Sequence, residues 1–140
     1  MRYLLDTDHL VLLQRQSMPE YAHLRSAMNC HLATDFYVSV VSFHEQMMGA
    51  NAYIAKVRTR AGLLRGYQLI EQCLIDFNRF RVLPFDEPTV IKYEQFRSLR
   101  INKMDLRIAA TALSHNLTLL TRNTVDFQRV PGLRIEDWTV

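Results

Sequence analysis

Short apolar runs alternate with longer amphipathic stretches along the whole chain. The runs are rich in leucine, β-branched and aromatic residues, and such runs predict buried β-strands. The predicted strands cover residues 1–5, 36–41, 80–85, 117–121 and 133–135. Between them, capping residues followed by apolar positions at helical spacing predict α-helices. The predicted helices cover residues 7–16, 17–32, 42–60, 63–78 and 87–99, with a further helix that begins at Asp105.

This alternation of strands and helices predicts an α/β fold. Each helix between two strands serves as a crossover connection, so the strands become parallel neighbours in one sheet. Parallel strands are covered on both faces and therefore appear as continuous apolar runs, as they do here. We expect a mostly parallel sheet of four to five strands. The 140 residues contain no repeat or linker, which predicts a single domain over residues 1–140.

Four acidic residues stand close to the predicted strands, at Asp6, Glu45, Asp105 and Asp126. Asp6 directly follows the first strand, Glu45 follows the second by one helical turn, and Asp126 lies a few residues beyond the fourth. Asp105 opens the helix that leads into the fourth strand. Open parallel sheets bind ligands at the carboxyl ends of their strands, so all four can face one edge. Clustered carboxylates near a core need a partner, and their oxygens suit Mg²⁺ or Mn²⁺.

For two of these acids, helix capping is the ordinary alternative. Asp6 can cap the helix that follows the first strand, although Thr7 or Asp8 can do so equally well. Glu45 stands three residues after Ser42, the spacing of a capping box, in which its side chain would bond the backbone of Ser42. Taken singly, neither residue separates capping from metal binding.

The other two acids have similar alternatives. Asp105 stands at a predicted helix N-terminus, where the helix dipole favours a carboxylate. Asp126 follows a turn rich in Asn and Thr, which needs no function to explain it. Within that turn, Thr121 and Asn123 can also orient a carboxylate or a bound water.

Composition and charge narrow the class of protein. The apolar share of 49% is ordinary for a globular chain, and no apolar run approaches the ~20 residues of a membrane span. Asp6 and Asp8 interrupt the apolar N-terminus, which disfavours a signal peptide and predicts a cytoplasmic protein. If four of the 14 acidic residues hold a metal, the rest of the chain carries 17 basic residues and 10 acidic ones. Such a surface fits attraction of a polyanion, with a solvated basic surface as the alternative.

Taken in order along the chain, these motifs resemble those of the PIN-domain ribonucleases. More narrowly, they resemble the VapC-type toxins of bacterial and archaeal toxin–antitoxin pairs. The resemblance spans essentially the whole chain, although residues 50–100 match in helical layout more than in motif. It is carried by residues 3–10, 41–45 with Gly49, 105–112, 120–127, 130–133 and 136–138.

The resemblance implies a three-layer α/β/α sandwich and gives roles to the acids. Asp6, Glu45 and Asp105 match the three family acids that hold Mg²⁺ or Mn²⁺. Asp126 matches a fourth acid, at a position where the family varies more.

The resemblance also places polar residues around these acids. Thr121 and Asn123 match polar family positions near the metal. Asp8 stands where many members have Asn, which fits a helix cap or a supporting hydrogen bond better than a metal ligand. Arg107 and Arg122 are candidates for contacts with RNA phosphates, with solvated surface charge as the alternative for both.

The implied function is that of an endoribonuclease toxin. A metal-activated water would cleave an RNA phosphodiester bond and leave 5′-phosphate and 3′-hydroxyl ends. The resemblance further implies a homodimer, and a small antitoxin protein that occupies a groove near the acids. The long helices within residues 42–78 are the candidates for that groove and for part of the dimer surface.

Two other classes of protein remain as alternatives. The sequence Asp6-Thr7-Asp8 suggests an aspartate-nucleophile phosphatase, but Leu10 stands where that class has Thr or Val, and Lys103 is its only loose candidate for the later lysine. The second alternative is an RNA- or protein-binding module that has kept the fold and lost catalysis. Binding without cleavage in the presence of metal would distinguish it.

Overall fold

One parallel sheet forms the centre of the molecule. The computed structural model describes residues 1–140. Its strands are β1 Tyr3–Leu5, β2 Phe36–Ser39, β3 Arg81–Leu83, β4 Thr118–Leu120 and β5 Ile135–Glu136. They pair in the order β3-β2-β1-β4-β5, and every neighbouring pair is parallel. The predicted sheet is confirmed, and it is parallel throughout rather than mostly so.

Seven α-helices connect or flank the strands. They are α1 Thr7–Arg15, α2 Glu20–Met28, α3 Val40–Lys56, α4 Arg60–Asn78, α5 Glu87–Phe96, α6 Lys103–Ser114 and α7 Thr124–Phe127. A short 3₁₀ turn, Ala33–Asp35, precedes β2. None of the helices combines the length and the apolar character that crossing a membrane requires.

The core consists of two apolar clusters, one on each face of the sheet. Successive side chains of a strand point to opposite faces, so Tyr3 and Leu5 join one cluster and Leu4 joins the other. The first cluster includes side chains of α1, α2 and α4, and the second is built largely on α6. The three-layer α/β/α arrangement is therefore confirmed. The central strands β1, β2 and β4 are buried at every position, which explains their continuous apolar runs.

The structure decides how the helices after β1 and β2 are capped. Of the three residues predicted as possible caps of α1, Asp6 takes the role, with its side chain accepting from the backbone N–H of Thr7. Ser39 caps α3 by accepting from the N–H of Val41 at 3.0 Å, and the predicted cap at Ser42 is wrong. The β-branched residues after Ser39 favour a strand locally, but Val41 packs into the core as a helical residue.

Other boundaries shift by a few residues. Helix α2 ends at Met28 instead of residue 32, and α5 ends at Phe96 instead of residue 99. The predicted helices leave a break at residues 61–62, which include Gly62, whereas the break between α3 and α4 lies at residues 57–59. Gly62 belongs to the first turn of α4, where its N–H donates to the Thr59 hydroxyl. A side chain at Gly62 would meet Val57 at 2.8 Å, so close approach explains this glycine better than a helix break.

Candidate active site

A cleft of about 600 Å³ opens at the carboxyl ends of β1, β2 and β4. Asp6 directly follows β1 and Thr121 directly follows β4, whereas β2 leads into α3, which carries Glu45. Because the strands are parallel neighbours, those residues meet at one edge of the sheet. The polar residues that line the cleft include Asp6, Thr7, Asp8, Arg15, Glu45, Asp105, Arg122 and Asn123.

Asp6 is the most buried acid of the cleft, with 4% of its surface exposed. One carboxylate oxygen accepts from the Thr7 N–H and the other from the Thr121 hydroxyl, both at 2.8 Å. Burial, reinforced by the neighbouring charge of Asp8, raises the pKa of Asp6 to about 7, although these hydrogen bonds oppose the shift. The fold therefore holds a carboxylate where ionisation is costly, and a cation in the cleft would relieve that cost.

Glu45 reaches the cleft because α1 holds its side chain. The Thr7 hydroxyl donates to Glu45 Oε1 at 2.8 Å and lies 2.9 Å from the Ser42 hydroxyl. A hydroxyl has one hydrogen, so Ser42 donates to Thr7 while Thr7 donates to Glu45. The predicted capping box between Ser42 and Glu45 is wrong, since Ser42 lies inside α3 and Ser39 is the cap.

Asp105 and Asp126 meet at the side-chain amide of Asn123. Its nitrogen lies 3.1 Å from Asp126 Oδ2 and 3.5 Å from Asp105 Oδ2. Asn102, not Asp105, caps α6, so the Asp105 carboxylate is free of that role. Burial raises the pKa of Asp105 to about 6, with further contributions from the charges of Glu45 and Asp126.

Asp8 joins α1 to the segment that follows β4. Its Oδ2 accepts from the Arg122 backbone N–H at 2.9 Å and lies 3.3 Å from the Thr121 hydroxyl. Its Oδ1 lies 2.8 Å from the Nδ1 atom of His9. Asp8 therefore bridges α1 and residues 121–122 by hydrogen bonds, and Asp6 rather than Asp8 caps α1.

Six of the nine predicted site residues line the cleft, Thr121 and Asp126 contact that lining by hydrogen bonds, and Arg107 does neither. Arg122 lines the cleft, whereas Arg107 lies outside its lining, with the guanidinium 5.6 Å from the Tyr93 ring centre. Asp126 is not part of the lining either but contacts it through Asn123. Sequence reasoning missed the role of Thr7 as the holder of Glu45, because that contact joins residues 38 positions apart.

The donor set of the cleft fits a hard divalent cation. Asp6, Glu45 and Asp105 offer only oxygen, which Mg²⁺ and Mn²⁺ prefer. No three Asp, Glu, His or Cys side chains form a ready-made cation cage. Mg²⁺ does not require one, because it retains several waters and needs only one or two carboxylates. Burial and the neighbouring carboxylates raise the pKa values of Asp6 and Asp105, so a bound cation would stabilise the ionised forms of both side chains.

Comparison with known proteins identifies the family. The family model described as PIN domain matches residues 3–133 of this chain. The chain therefore belongs to the PIN-domain family, among its VapC-type members.

Individual relatives include proteins named as an endonuclease and as a toxin. The chain is 28% identical over 144 residues to the tRNA(fMet)-specific endonuclease VapC of Salmonella typhimurium, covering 99% of this chain and 98% of that protein. It is 34% identical over 99 residues to Toxin FitB of Neisseria gonorrhoeae, covering 66% of this chain and 68% of that protein. Among solved structures, VapBC-1 from nontypeable Haemophilus influenzae superposes with a TM-score of 0.79 at 26% identity, over the full length of both chains.

Proposed function

We propose that this protein is a Mg²⁺- or Mn²⁺-dependent endoribonuclease that acts as the toxin of a type II toxin–antitoxin pair. The observation that carries the proposal is the meeting of Asp6, Glu45 and Asp105 in one cleft of a PIN-domain chain. Its relatives include a VapC named as a tRNA endonuclease and a protein named as a toxin, which supports RNA as the substrate class and a toxin role.

The residues of the cleft have separable tasks in this reaction. A bound metal ion would supply an activated water and neutralise charge on the phosphoryl group. Asp6, Glu45 and Asp105 would hold that ion directly or through water. Asp126 would complete the site through Asn123, which contacts both Asp126 and Asp105.

The hydrogen bonds of the cleft orient its acids before any ligand binds. Thr7 and Thr121 each hold one oxygen of Asp6, and Thr7 also holds Glu45 through its hydroxyl. Preorganised groups lose little entropy when the ligand arrives, which favours rapid chemistry. At the rim, the guanidinium groups of Arg15 and Arg122 provide the positive charge that attracts RNA phosphates.

The phosphatase alternative fits the geometry less well. Leu10, at the position where that class carries Thr or Val, is fully buried in the apolar core. Both oxygens of Asp8 are engaged, one by the Arg122 N–H and the other by His9, so Asp8 is not poised as a free acid. We therefore propose the nuclease, and keep the binding module as the outcome in which RNA binds without cleavage.

A second cavity suggests where the antitoxin binds. About 690 Å³ lies between α1, α3 and α4, and Val11 and Arg15 line both this cavity and the catalytic cleft. Beyond it, α4 exposes Leu63, Leu64 and Tyr67. Exposed apolar surface next to a cleft is typical of a site for a partner protein. We propose that the antitoxin occupies this groove and that a homodimer uses neighbouring apolar surface.

Cleavage of RNA by purified, antitoxin-free protein tests the proposal. Total RNA is incubated with Mg²⁺ or Mn²⁺, with and without EDTA, beside the Asp6→Asn variant. Asparagine also caps helices well, so this variant keeps the start of α1 intact. We expect discrete fragments with 5′-phosphate ends that disappear with EDTA and with Asp6→Asn. RNA binding with no fragments in either metal would instead favour the binding module.

A further inference from the structure

His9 is fully buried, and both of its ring nitrogens have partners. Nδ1 lies 2.8 Å from Asp8 Oδ1, and Nε2 accepts from the backbone N–H of Trp138 at 3.3 Å. Because that backbone group can only donate, Nε2 carries no proton, and the ring hydrogen sits on Nδ1 and points to Asp8. Asp137 lies 3.8 Å from Nε2, beyond hydrogen-bond distance, and its Oδ1 accepts instead from Thr139.

Asp8 links His9 to the catalytic cleft through its second carboxylate oxygen. While His9 holds Oδ1, the other oxygen accepts from the Arg122 N–H and lies near the Thr121 hydroxyl. A carboxylate held at both oxygens cannot rotate away from the segment that it binds. That segment continues into Asn123, whose amide contacts Asp105 and Asp126. Hydrogen bonds thus run from the C-terminal residues to the acids of the cleft.

We propose that His9 is a positioning residue of the nuclease. Its Nδ1–H fixes the rotation of Asp8, and Asp8 in turn holds residues 121–123 so that Asn123 stays against Asp105 and Asp126. This inference rests on the proposed nuclease activity. Groups that orient the ligands of a metal site are typically worth about 10- to 100-fold in metal affinity or activity. The alternative is a histidine that only fills space beside Trp138.

Two substitutions test the hydrogen bonds of the two ring nitrogens of His9 separately. His9→Asn places an amide at the δ position, so it keeps a donor for Asp8 and loses the acceptor for the Trp138 N–H. His9→Gln places its amide at the ε position, so it keeps the acceptor and loses the donor. Each variant loses one buried hydrogen bond, so both should be destabilised by comparable amounts. A difference in activity between the two variants therefore shows which hydrogen bond of His9 matters, the one to Asp8 or the one from Trp138, and does not reflect a difference in stability.

The first measurement is amide hydrogen exchange of the metal-free protein, followed at Arg122 and Trp138. We expect His9→Gln to speed exchange at Arg122 about tenfold and to leave Trp138 protected. His9→Asn should do the reverse. This measurement needs neither metal nor RNA, so it decides the role of His9 even if the wild-type protein cleaves no RNA and the proposed function fails.

The second measurement is RNA cleavage with Mg²⁺. We expect His9→Gln to lower kcat/KM by about 10- to 100-fold and His9→Asn to stay within about threefold of wild type. In an Asp8→Ala background, His9→Gln should cause no further loss, because the two residues then act through one contact. Equal losses in both His9 variants, or unchanged exchange at Arg122 in His9→Gln, would overturn the proposal.

Discussion

Two carboxylates of this chain are buried almost equally, yet their surroundings are opposite. Asp6 is 4% exposed and Asp76 is 7% exposed. Asp76 accepts hydrogen bonds from the side-chain amides of Gln14 and Gln72, both at 2.9 Å. Asp6 lies beside another carboxylate, Asp8, and burial together with that charge raises its pKa to about 7. Burial alone thus does not distinguish the two acids, whereas burial beside like charge makes Asp6 the candidate for a functional role.

The surroundings of Asp76 serve to join helices. The amides of Gln14 and Gln46 exchange two hydrogen bonds, at 3.0 and 2.7 Å, which tie α1 to α3. Gln14 and Gln72 then connect Asp76, on α4, to the same network. A buried polar network whose members all have partners rigidifies a fold. Gln46 is next in sequence to Glu45, so this network helps to fix the helix that presents Glu45 to the cleft.

The largest expected effect comes from replacing a carboxylate of the cleft by an amide, compared with the same replacement at Asp76. Asp105→Asn should lower cleavage about 100-fold or more, because it removes a charge that the metal requires. Asp76→Asn should leave cleavage within about threefold and lower the free energy of unfolding by about 1–2 kcal/mol, through one lost hydrogen bond. Steady-state kinetics and urea denaturation of both variants measure the two effects. A large loss of cleavage with unchanged stability in Asp76→Asn would contradict a purely structural role for Asp76.

The next effect is the pH dependence of stability in metal-free protein. Asp6 has a pKa of about 7 when folded and an ordinary value near 3.8 when unfolded, so the folded state binds the extra proton between these limits. The contribution of Asp6 is therefore most favourable below about pH 4 and is lost as the pH rises through about 7. The free energy of unfolding of wild type, relative to that of Asp6→Asn, should fall by an amount on the order of 2–4 kcal/mol as the pH rises across this window.

Urea denaturation at several pH values, with EDTA present, measures this difference. Asp6→Asn serves as the reference because groups far from Asp6 contribute equally to both proteins, so the difference reports Asp6 together with its neighbours Asp8 and Asp105. Adding Mg²⁺ at pH 7 should stabilise wild type and leave Asp6→Asn nearly unchanged. Parallel pH profiles for the two proteins would show that Asp6 is not held in an unfavourable state.

The smallest expected effect concerns the hydroxyl that holds Glu45. Thr7→Val keeps the shape of the side chain but removes the donor to Glu45, and it should lower kcat/KM about tenfold. Thr7→Ser keeps the hydroxyl and should stay close to wild type. Equal activity in Thr7→Val and wild type would mean that Glu45 finds its position without α1.

Local patterns predicted the parts of this molecule that depend on neighbours in sequence. The central strands are continuous apolar runs because both faces are covered, and their parallel order follows from the helices between them. The convergence of Asp6, Glu45 and Asp105 followed from the position of each acid after a strand or at a helix start. Those predictions needed no knowledge of how the helices pack.

The features that sequence reasoning missed depend on packing between distant segments. Ser39 and Ser42 satisfy the rule for a helix cap equally well, and burial of Val41 in the core decides between them. The contact of Thr7 with Glu45 and the network around Asp76 arise where α1 crosses α3 and α4. No local pattern records such a crossing, so the supporting residues emerge only from the structure.

Locating a bound metal ion tests the proposed site most directly. Crystals grown with Mn²⁺ would be measured at a wavelength where manganese scatters anomalously, for wild type and for Asp105→Asn. We expect an anomalous peak in the wild-type cleft against the carboxylates of Asp6 and Asp105, and its loss in the variant. A cleft without a peak at saturating Mn²⁺, or a peak beside Asp76 instead, would contradict the proposed site.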